Sequence, residues 1–163
     1  MGVTRILVAE QVHRTLRRLA FEIVEHNQGA SDLVMLGILR RGDQLGRRLA
    51  REVSGIVGHP VPYAPLNVGG FRDDDLRTGD GPGDLPVLEG RDVVLVDDVL
   101  FTGRTVRAAL DAVVSAGRPR TVQLAVLIDR GHREYPIHPD YVGRVLPTKH
   151  RERVVVELEE PES

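Results

Sequence analysis

The chain has 163 residues and no cysteine, and its formal net charge at pH 7 is −2. An apolar fraction of 41% and a charged fraction of 28% are typical of a folded globular domain. The lack of cysteine excludes disulfides, zinc thiolate sites and thiol nucleophiles, and the net charge excludes a global basic field that would attract nucleic acid. We expect one cytoplasmic domain over residues 1–163, with no signal peptide, membrane span or internal repeat.

The first half of the chain predicts alternating helices and strands before a long loop. Residues 10–27 repeat apolar side chains at helical spacing. Leu33–Leu39 is a nearly continuous apolar run, which is typical of a strand covered on both faces. Gly42–Val53 predicts a second helix and Val61–Val68 a second strand. Residues 69–90 are dominated by Gly, Asp and Pro and therefore predict a mobile loop.

The second half continues the same alternation. Asp92–Val96 and Thr121–Ile128 predict buried strands, and Gly103–Ala116 between them predicts a helix. Val142–Leu146 and Arg153–Leu158 are shorter strand candidates. This alternation predicts an α/β fold with a mainly parallel central sheet flanked by helices.

Three polar segments follow predicted strands and should therefore meet at one edge of the sheet. They are Leu39–Gly42, Asp97–Asp98 and Asp129–His132. Ligands of parallel α/β sheets bind at the carboxyl ends of the strands. The sequence thus predicts a ligand site built from these three segments.

One of these segments leads into a phosphate-binding pattern, Thr102–Thr105, at a predicted helix start. Backbone N–H groups, two threonine hydroxyls and Arg104 would there surround an anion. Asp97 and Asp98 repel an anion but accept hydrogen bonds, as a vicinal diol requires. The pattern predicts a ribose 5-phosphate site, although a simple turn at the acidic pair and a helix cap at Thr102 would use the same residues.

The whole run Val93–Thr105 resembles the signature of the type I phosphoribosyltransferases. The resemblance implies their fold, with a small hood and a flexible lid loop added to the sheet. It also implies binding of 5-phosphoribosyl-1-pyrophosphate, with Asp97 and Asp98 on the ribose hydroxyls. The residues implied for the 5-phosphate are Thr102, Gly103, Arg104 and Thr105.

The same resemblance implies a pyrophosphate loop after the first buried strand. Its residues are Leu39, Arg40, Arg41 and Gly42, and the family's non-proline cis peptide would lie between the first two. A basic surface turn is the alternative interpretation of this segment. Mg²⁺ is implied as a cofactor held through the substrate, with Asp97 and Asp98 as possible protein contacts and no other direct ligand.

The base is indicated by Phe101, where purine-salvage members of the family carry an aspartate. Further segments, Gly117–Pro119, Leu124–Glu134 and Asp140–Gly143, resemble the pyrimidine-operon attenuation regulators that are also uracil phosphoribosyltransferases. Uracil and UMP are then the implied ligands, and conversion of uracil to UMP the implied reaction.

The resemblance also assigns parts to the hood and lid. The hood would come from segments near residue 9 and from 131–158, with Tyr141 and Val142 covering the base. Arg130, His132 and Arg133 would be supporting residues of the site. The lid would be about 69–90, with Arg72 and Asp73 at its functional end, although Val68–Asp73 departs from the family's usual sequence. No residue is nominated as general base.

Such regulators bind a hairpin in the leader mRNA of pyrimidine genes, and two basic clusters are candidates for that contact. The candidate residues are Arg14, Arg17, Arg18, Lys149 and Arg151. Solvated protein faces are the plain alternative, and Pro147–Arg151 departs from the family's usual sequence. The resemblance implies a homodimer or a dimer of dimers.

Two other functions stay open at this point. A regulator that keeps the pocket only to sense UMP would carry the same motif. A purine or xanthine phosphoribosyltransferase is the third candidate, which Phe101 disfavours.

Overall fold

Five strands and three α-helices make up the described part of the chain, which in the computed structural model covers residues 7–71, 81–149, 152, 154–156 and 158. The helices are α1 (Ala9–His26), α2 (Arg41–Val57) and α3 (Arg104–Ala116). The strands are β1 (Leu33–Ile38), β2 (Tyr63–Leu66), β3 (Asp92–Leu100), β4 (Thr121–Asp129) and β5 (Tyr141–Val145). A 3-10 turn covers Gly69–Phe71.

The five strands form one parallel sheet in the order β2-β1-β3-β4-β5. The chain runs outward from β1 to β2 and then returns to place β3 on the other side of β1. The sheet therefore reverses its direction of growth between β1 and β3. In open α/β sheets a crevice forms at the carboxyl ends of the strands at such a reversal, and ligands bind there.

Two apolar cores lie on the two faces of the sheet. Helices α1 and α2 cover one face, where Leu16, Ile23 and Leu49 pack on Met35 and Val94 of the sheet. Helix α3 covers the other face with a second cluster that includes residues 106, 109 and 113. Both faces are covered, which explains the continuous apolar runs of the central strands.

The predicted helices and the first five predicted strands are confirmed in kind, with differences at their ends. Strand β3 continues to Leu100 and is not finished at Val96, because it keeps pairing with β4 beyond that point. The segment Arg153–Leu158 was expected to be a strand, but its described residues 154–156 and 158 are irregular. Val154, Val156 and Leu158 pack on the α1–α2 core, whereas Val155 is exposed. None of the helices in the described ranges combines the length and apolar character that a membrane crossing needs.

Candidate functional site

The pyrophosphate loop and the acidic pair meet at the reversal point between β1 and β3. The Gly42 backbone lies so close to β3 that a Cβ atom at Gly42 would be 2.3 Å from the carbonyl oxygen of Val96 and 3.1 Å from Cα of Asp97. Residue 42 therefore has to be glycine for the two segments to touch. The predicted meeting of these segments at one edge is confirmed.

Both aspartates of the pair are buried near the carboxyl end of β3. Asp97 is 7% exposed and its Oδ1 accepts a hydrogen bond of 2.8 Å from the Asp98 backbone N–H. Asp98 is 8% exposed and its Oδ1 accepts one of 2.7 Å from the Val99 backbone N–H. These bonds orient each carboxylate. A carboxylate accepts several hydrogen bonds at once, so both side chains are chemically suited to donors from a ligand.

The start of α3 lies where the sequence predicted an anion-binding site. It differs from that prediction in the residue at which the helix begins and in the direction of the Arg104 side chain. Gly103, with φ +93, is the capping residue and the helix itself begins at Arg104. The Thr102 hydroxyl accepts a 3.2 Å hydrogen bond from the Arg104 backbone N–H. The Arg104 guanidinium pairs with the Glu134 carboxylate at 2.9 Å. It therefore points to a neighbouring loop and not into the predicted phosphate site of Thr102–Thr105, which we call the cradle.

The segment after β4 is hydrogen-bonded to the loop between β3 and α3. The backbone N–H of Glu134 donates to the Thr102 carbonyl at 2.8 Å. Arg133 donates to the Phe101 carbonyl at 2.8 Å and forms an ion pair of 2.6 Å with Asp129. Arg133, predicted as a supporting residue, also donates to the Ile137 carbonyl at 2.9 Å, so its contacts connect the end of β4 with both Phe101 and the segment that follows.

Arg130 connects Phe101, which lies next to the cradle, to residues 148, 149 and 152. Its side chain is buried at 7% exposure, with the guanidinium 4.0 Å from the centre of the Phe101 ring. The guanidinium donates to the Thr148 hydroxyl at 3.0 Å, to the Lys149 carbonyl at 3.1 Å, and to the Glu152 carbonyl. His132 adds a contact from its Nε2 to the Thr148 carbonyl. Phe101 thus packs beneath Arg130, whose hydrogen bonds to Thr148, Lys149 and Glu152 we call the Arg130 clamp.

The pyrophosphate loop has the backbone that the resemblance implied. The Leu39–Arg40 peptide bond is cis. Arg40 and Arg41 are exposed beside the junction, and Gly42 is buried in it. Arg41 is the first residue of α2, so the loop also lies at a helix start that favours an anion.

Tyr141 does not lie where a base-stacking residue would. Its ring is 4% exposed, and its hydroxyl donates to Gln123 Oε1 at 2.6 Å, near the amino end of β4. Burial raises the pKa of Tyr141 to about 12. Val142 is half-buried against the α3 core, and Arg18 donates to its carbonyl at 3.3 Å. The side chain of Tyr141 packs between the sheet and α1, which does not fit the stacking on the base that was predicted for it. The base contact predicted through Val142 stays a prediction.

The basic residues proposed for RNA have unequal surroundings. Arg18 donates to the Gly143 carbonyl at 2.7 Å, which covers the edge of the sheet. Arg17 lies 3.7 Å from the Glu52 carboxylate, which offsets part of its charge. Arg14 and Lys149 are exposed. Arg151, like the lid residues Arg72 and Asp73, lies outside the described residues.

Two residues at the site had no assigned role in the sequence. Asp129, at the end of β4, orients Gly131 and Arg133 through its two oxygens at 3.1 Å and 2.6 Å. Tyr63, on β2, donates to Asp43 Oδ1 at 2.7 Å directly below the pyrophosphate loop. Asp129 had a signal, since it ends a predicted strand, whereas nothing in the local sequence around Tyr63 indicates a site.

A divalent cation at this edge would take oxygen ligands. Asp97 and Asp98 are the carboxylates that the structure places at the junction. No group of three or more His, Asp or Glu side chains suited to a metal occurs among the residues that the structure describes. A cation would then need ligand oxygens from a bound phosphate and ribose.

Comparison with known proteins agrees with this geometry. The phosphoribosyl transferase domain family matches residues 2–160. The bifunctional protein PyrR of Pelotomaculum thermopropionicum is 50% identical over 161 residues, covering 96% of this chain and 89% of its own. The bifunctional protein PyrR of Streptomyces coelicolor is 52% identical over 162 residues, covering 95% of this chain and 83% of its own.

A solved structure shares the fold at much lower sequence identity. The hypoxanthine phosphoribosyltransferase of Trypanosoma cruzi, in complex with the product IMP, superposes with a TM-score of 0.70 at 19% identity. The match covers 87% of this chain and 75% of that one. This similarity concerns the fold.

Proposed function

Since the chain belongs to the phosphoribosyl transferase family, and within it to the bifunctional PyrR proteins, we propose that it converts uracil and 5-phosphoribosyl-1-pyrophosphate to UMP and pyrophosphate. We also propose that it regulates pyrimidine genes by UMP-dependent binding to leader mRNA. The whole chain, 1–163, then serves as one phosphoribosyltransferase domain. The relatives' description as bifunctional fits one catalytic and one regulatory activity.

The observation that carries the catalytic proposal is the placement of the three predicted binding elements at one edge of the sheet. Gly42 brings the pyrophosphate loop against Asp97, and the cradle at Thr102–Thr105 follows the same strand. Their order along the edge matches the order of pyrophosphate, ribose and 5-phosphate in the substrate. Phe101 lacks the carboxylate that would accept a hydrogen bond from a purine, which favours a pyrimidine.

In the proposed reaction, N1 of uracil forms a bond to C1′ of the ribose as the bond from C1′ to pyrophosphate breaks. The N1 proton of uracil passes to the departing pyrophosphate or to water. The transition state carries positive charge on the sugar, as in glycoside cleavage. Asp97 and Asp98 hold the ribose hydroxyls, and the loop Leu39–Gly42 holds the departing pyrophosphate. Catalysis rests on positioning of the reactants and exclusion of water.

Mg²⁺ is the proposed cofactor. When bound, it would neutralise part of the charge of the pyrophosphate. Asp97 and Asp98 are the residues proposed to contact it, directly or through water.

The test is to mix the protein with Mg²⁺, phosphoribosyl pyrophosphate and uracil, and to follow UMP by chromatography. We expect UMP and pyrophosphate in equal amounts, with no product when uracil is replaced by hypoxanthine, guanine or xanthine. Tight UMP binding without UMP formation would contradict the catalytic proposal and favour a UMP sensor. A nucleotide made from a purine would support the purine enzyme instead.

The RNA proposal is supported by exposed cations on α1. Arg14 and Arg17 are exposed on the same helix, and Lys149 is exposed beside the Arg130 clamp. Phosphate contacts from such groups confer affinity that falls steeply with salt. Arg18, which donates to the Gly143 carbonyl, has mainly a structural part in this proposal.

A leader hairpin titrated with and without UMP tests this proposal. We expect UMP to tighten binding and Arg14→Ala to weaken it about tenfold, because each lost phosphate contact reduces both affinity and its salt dependence. Arg118→Ala is the matched control, since Arg118 is also an exposed arginine but lies at the opposite end of the sheet. Binding that ignores UMP and responds equally to both variants would contradict the regulatory role.

We further propose a homodimer or a dimer of dimers, which sedimentation equilibrium distinguishes from a monomer. The cytoplasmic location remains a prediction from the cysteine-free sequence.

A further inference from the structure

The side chain of Tyr63 lies under the pyrophosphate loop, although β2 itself contributes nothing to the cradle or the acidic pair. We propose that Tyr63 is a positioning residue that sets the geometry of the loop Leu39–Gly42 and thereby the affinity for pyrophosphate-bearing ligands. This inference rests on the proposed function, because it takes that loop to be the pyrophosphate site.

The Tyr63 ring occupies space that two glycines leave open. A Cβ atom at Gly37 of β1 would be 2.1 Å from the Tyr63 hydroxyl oxygen. A Cβ atom at Gly46 of α2 would be 2.8 Å from Cε1 of the same ring. Any side chain at either position would displace the tyrosine. The ring therefore touches the backbones that enter and leave the pyrophosphate loop.

Hydrogen bonds link the hydroxyl to the first turn of α2. Tyr63 lies 2.7 Å from Asp43 Oδ1 and 2.9 Å from the Asp43 carbonyl oxygen, and its single hydrogen serves the nearer carboxylate. Arg47 donates to the same Oδ1 at 3.1 Å, and its guanidinium lies 5.4 Å from the centre of the Tyr63 ring. Burial, with the Asp43 carboxylate as the next cause, raises the pKa of Tyr63, so the hydroxyl stays a donor at assay pH.

Asp43 transmits this restraint to the loop. Its backbone N–H donates to the Arg40 carbonyl at 3.3 Å, which closes the turn that contains Arg41 and Gly42. Gly42 in turn lies against Val96 and Asp97. The loop is thus held on one side by the acidic strand and on the other by the Tyr63–Asp43 bond. Removal of the hydroxyl releases only the second side.

The test compares ligands that contain pyrophosphate with one that does not. Tyr63→Phe and the parent protein are titrated calorimetrically with phosphoribosyl pyrophosphate, with inorganic pyrophosphate, and with UMP, all in Mg²⁺. We expect the first two to bind roughly fivefold to tenfold more weakly to the variant, the effect of one lost hydrogen bond. UMP should bind within about twofold of the parent, and in turnover the KM for phosphoribosyl pyrophosphate should rise more than kcat falls.

Thr121→Val is the matched control. The Thr121 hydroxyl also donates to an aspartate, Asp92 Oδ1, at 2.7 Å, but at the other end of the sheet. Its loss should leave the affinities for all three ligands unchanged. Gly46→Ala is a second variant that displaces the ring and keeps the hydroxyl, and it should reproduce the selective loss.

The outcomes separate the inference from the function on which it rests. If the parent binds all three ligands and Tyr63→Phe either matches it or loses UMP to the same extent, the positioning role is overturned and the proposed function stands. If the parent binds UMP but neither pyrophosphate nor phosphoribosyl pyrophosphate, the proposed function fails and the inference fails with it.

Discussion

Strand β3 carries aspartates at both ends, and their surroundings differ. At the amino end, Asp92 forms two hydrogen bonds with the Arg120 guanidinium, at 3.1 Å and 2.6 Å, and a third with Thr121 at 2.7 Å. Near the carboxyl end, Asp97 and Asp98 accept bonds from the backbone N–H groups of the residues that follow them. All three side chains are buried.

The difference separates an acid that stabilises the fold from acids that we propose to accept hydrogen bonds from a ligand. The Arg120 hydrogen bonds, which outweigh burial, hold the pKa of Asp92 below its usual range. The carboxyl-end pair is oriented by its own strand beside the helix start of α3. A position beside apolar strand residues does not distinguish the two kinds of aspartate, because all three adjoin such residues. The following variants test this comparison.

The largest expected effect is on ligand binding at the carboxyl end. Asp97→Asn and Asp98→Asn each keep the side-chain shape but weaken hydrogen bonds from the ribose hydroxyls. Bonds to a charged group are worth about 1.5–3 kcal/mol, so each variant should lose roughly tenfold to a hundredfold in kcat/KM. Steady-state assays of UMP formation measure this loss. A drop in melting temperature with unchanged kcat/KM would place these residues with Asp92 instead.

The amino end should show the reverse pattern. Asp92→Asn removes the charge that binds Arg120, and we expect the free energy of unfolding to fall by about 1–3 kcal/mol. Urea titration followed by circular dichroism measures that change. At a temperature where both proteins are folded, kcat/KM should match the parent. Arg120→Ala should destabilise in the same direction, and a selective loss of activity in either variant would contradict the comparison.

Acid should remove the contribution that Asp92, at the amino end of β3, makes to the stability of the protein. The folded-state pKa of Asp92 is lowered relative to the unfolded chain, so its contribution to stability is present above the unfolded value of about 3.9. That contribution is lost as the pH falls below about 4 and passes through the lowered pKa. Melting temperatures measured from pH 6 to pH 2.5 should fall more steeply for the parent than for Asp92→Asn. Parallel curves would show that Asp92 has no such role.

The smallest expected effect concerns Tyr141, which packs near the amino end although the sequence placed it over the base. Tyr141→Phe removes the bond to Gln123 and should cost about 1 kcal/mol of stability. The KM for uracil should stay within about twofold of the parent. A large rise in that KM, with stability unchanged, would restore Tyr141 to the base site.

Most of the fold follows from patterns that act within one segment. The continuous apolar run Leu33–Leu39 and the helical repeat of 10–27 each require burial on defined faces, so element type and order could be predicted. The ends of the strands were harder to predict from the sequence. Whether β3 stops at Val96 or continues to Leu100 depends on a partner strand, and β4 provides that partner as far as Asp129.

The candidate site divides in the same way. The sequence by itself predicted the acidic pair, the glycine-threonine cradle and the pyrophosphate loop, because the residues of each are consecutive in the chain. Only the tertiary structure decided that Arg104 pairs with Glu134, that Tyr141 lies in the core, and that Tyr63 supports a loop more than twenty residues away. These outcomes depend on which side chains meet across separate elements. Local spacing carries no information about such meetings, since packing and hydrogen bonding between distant segments select them.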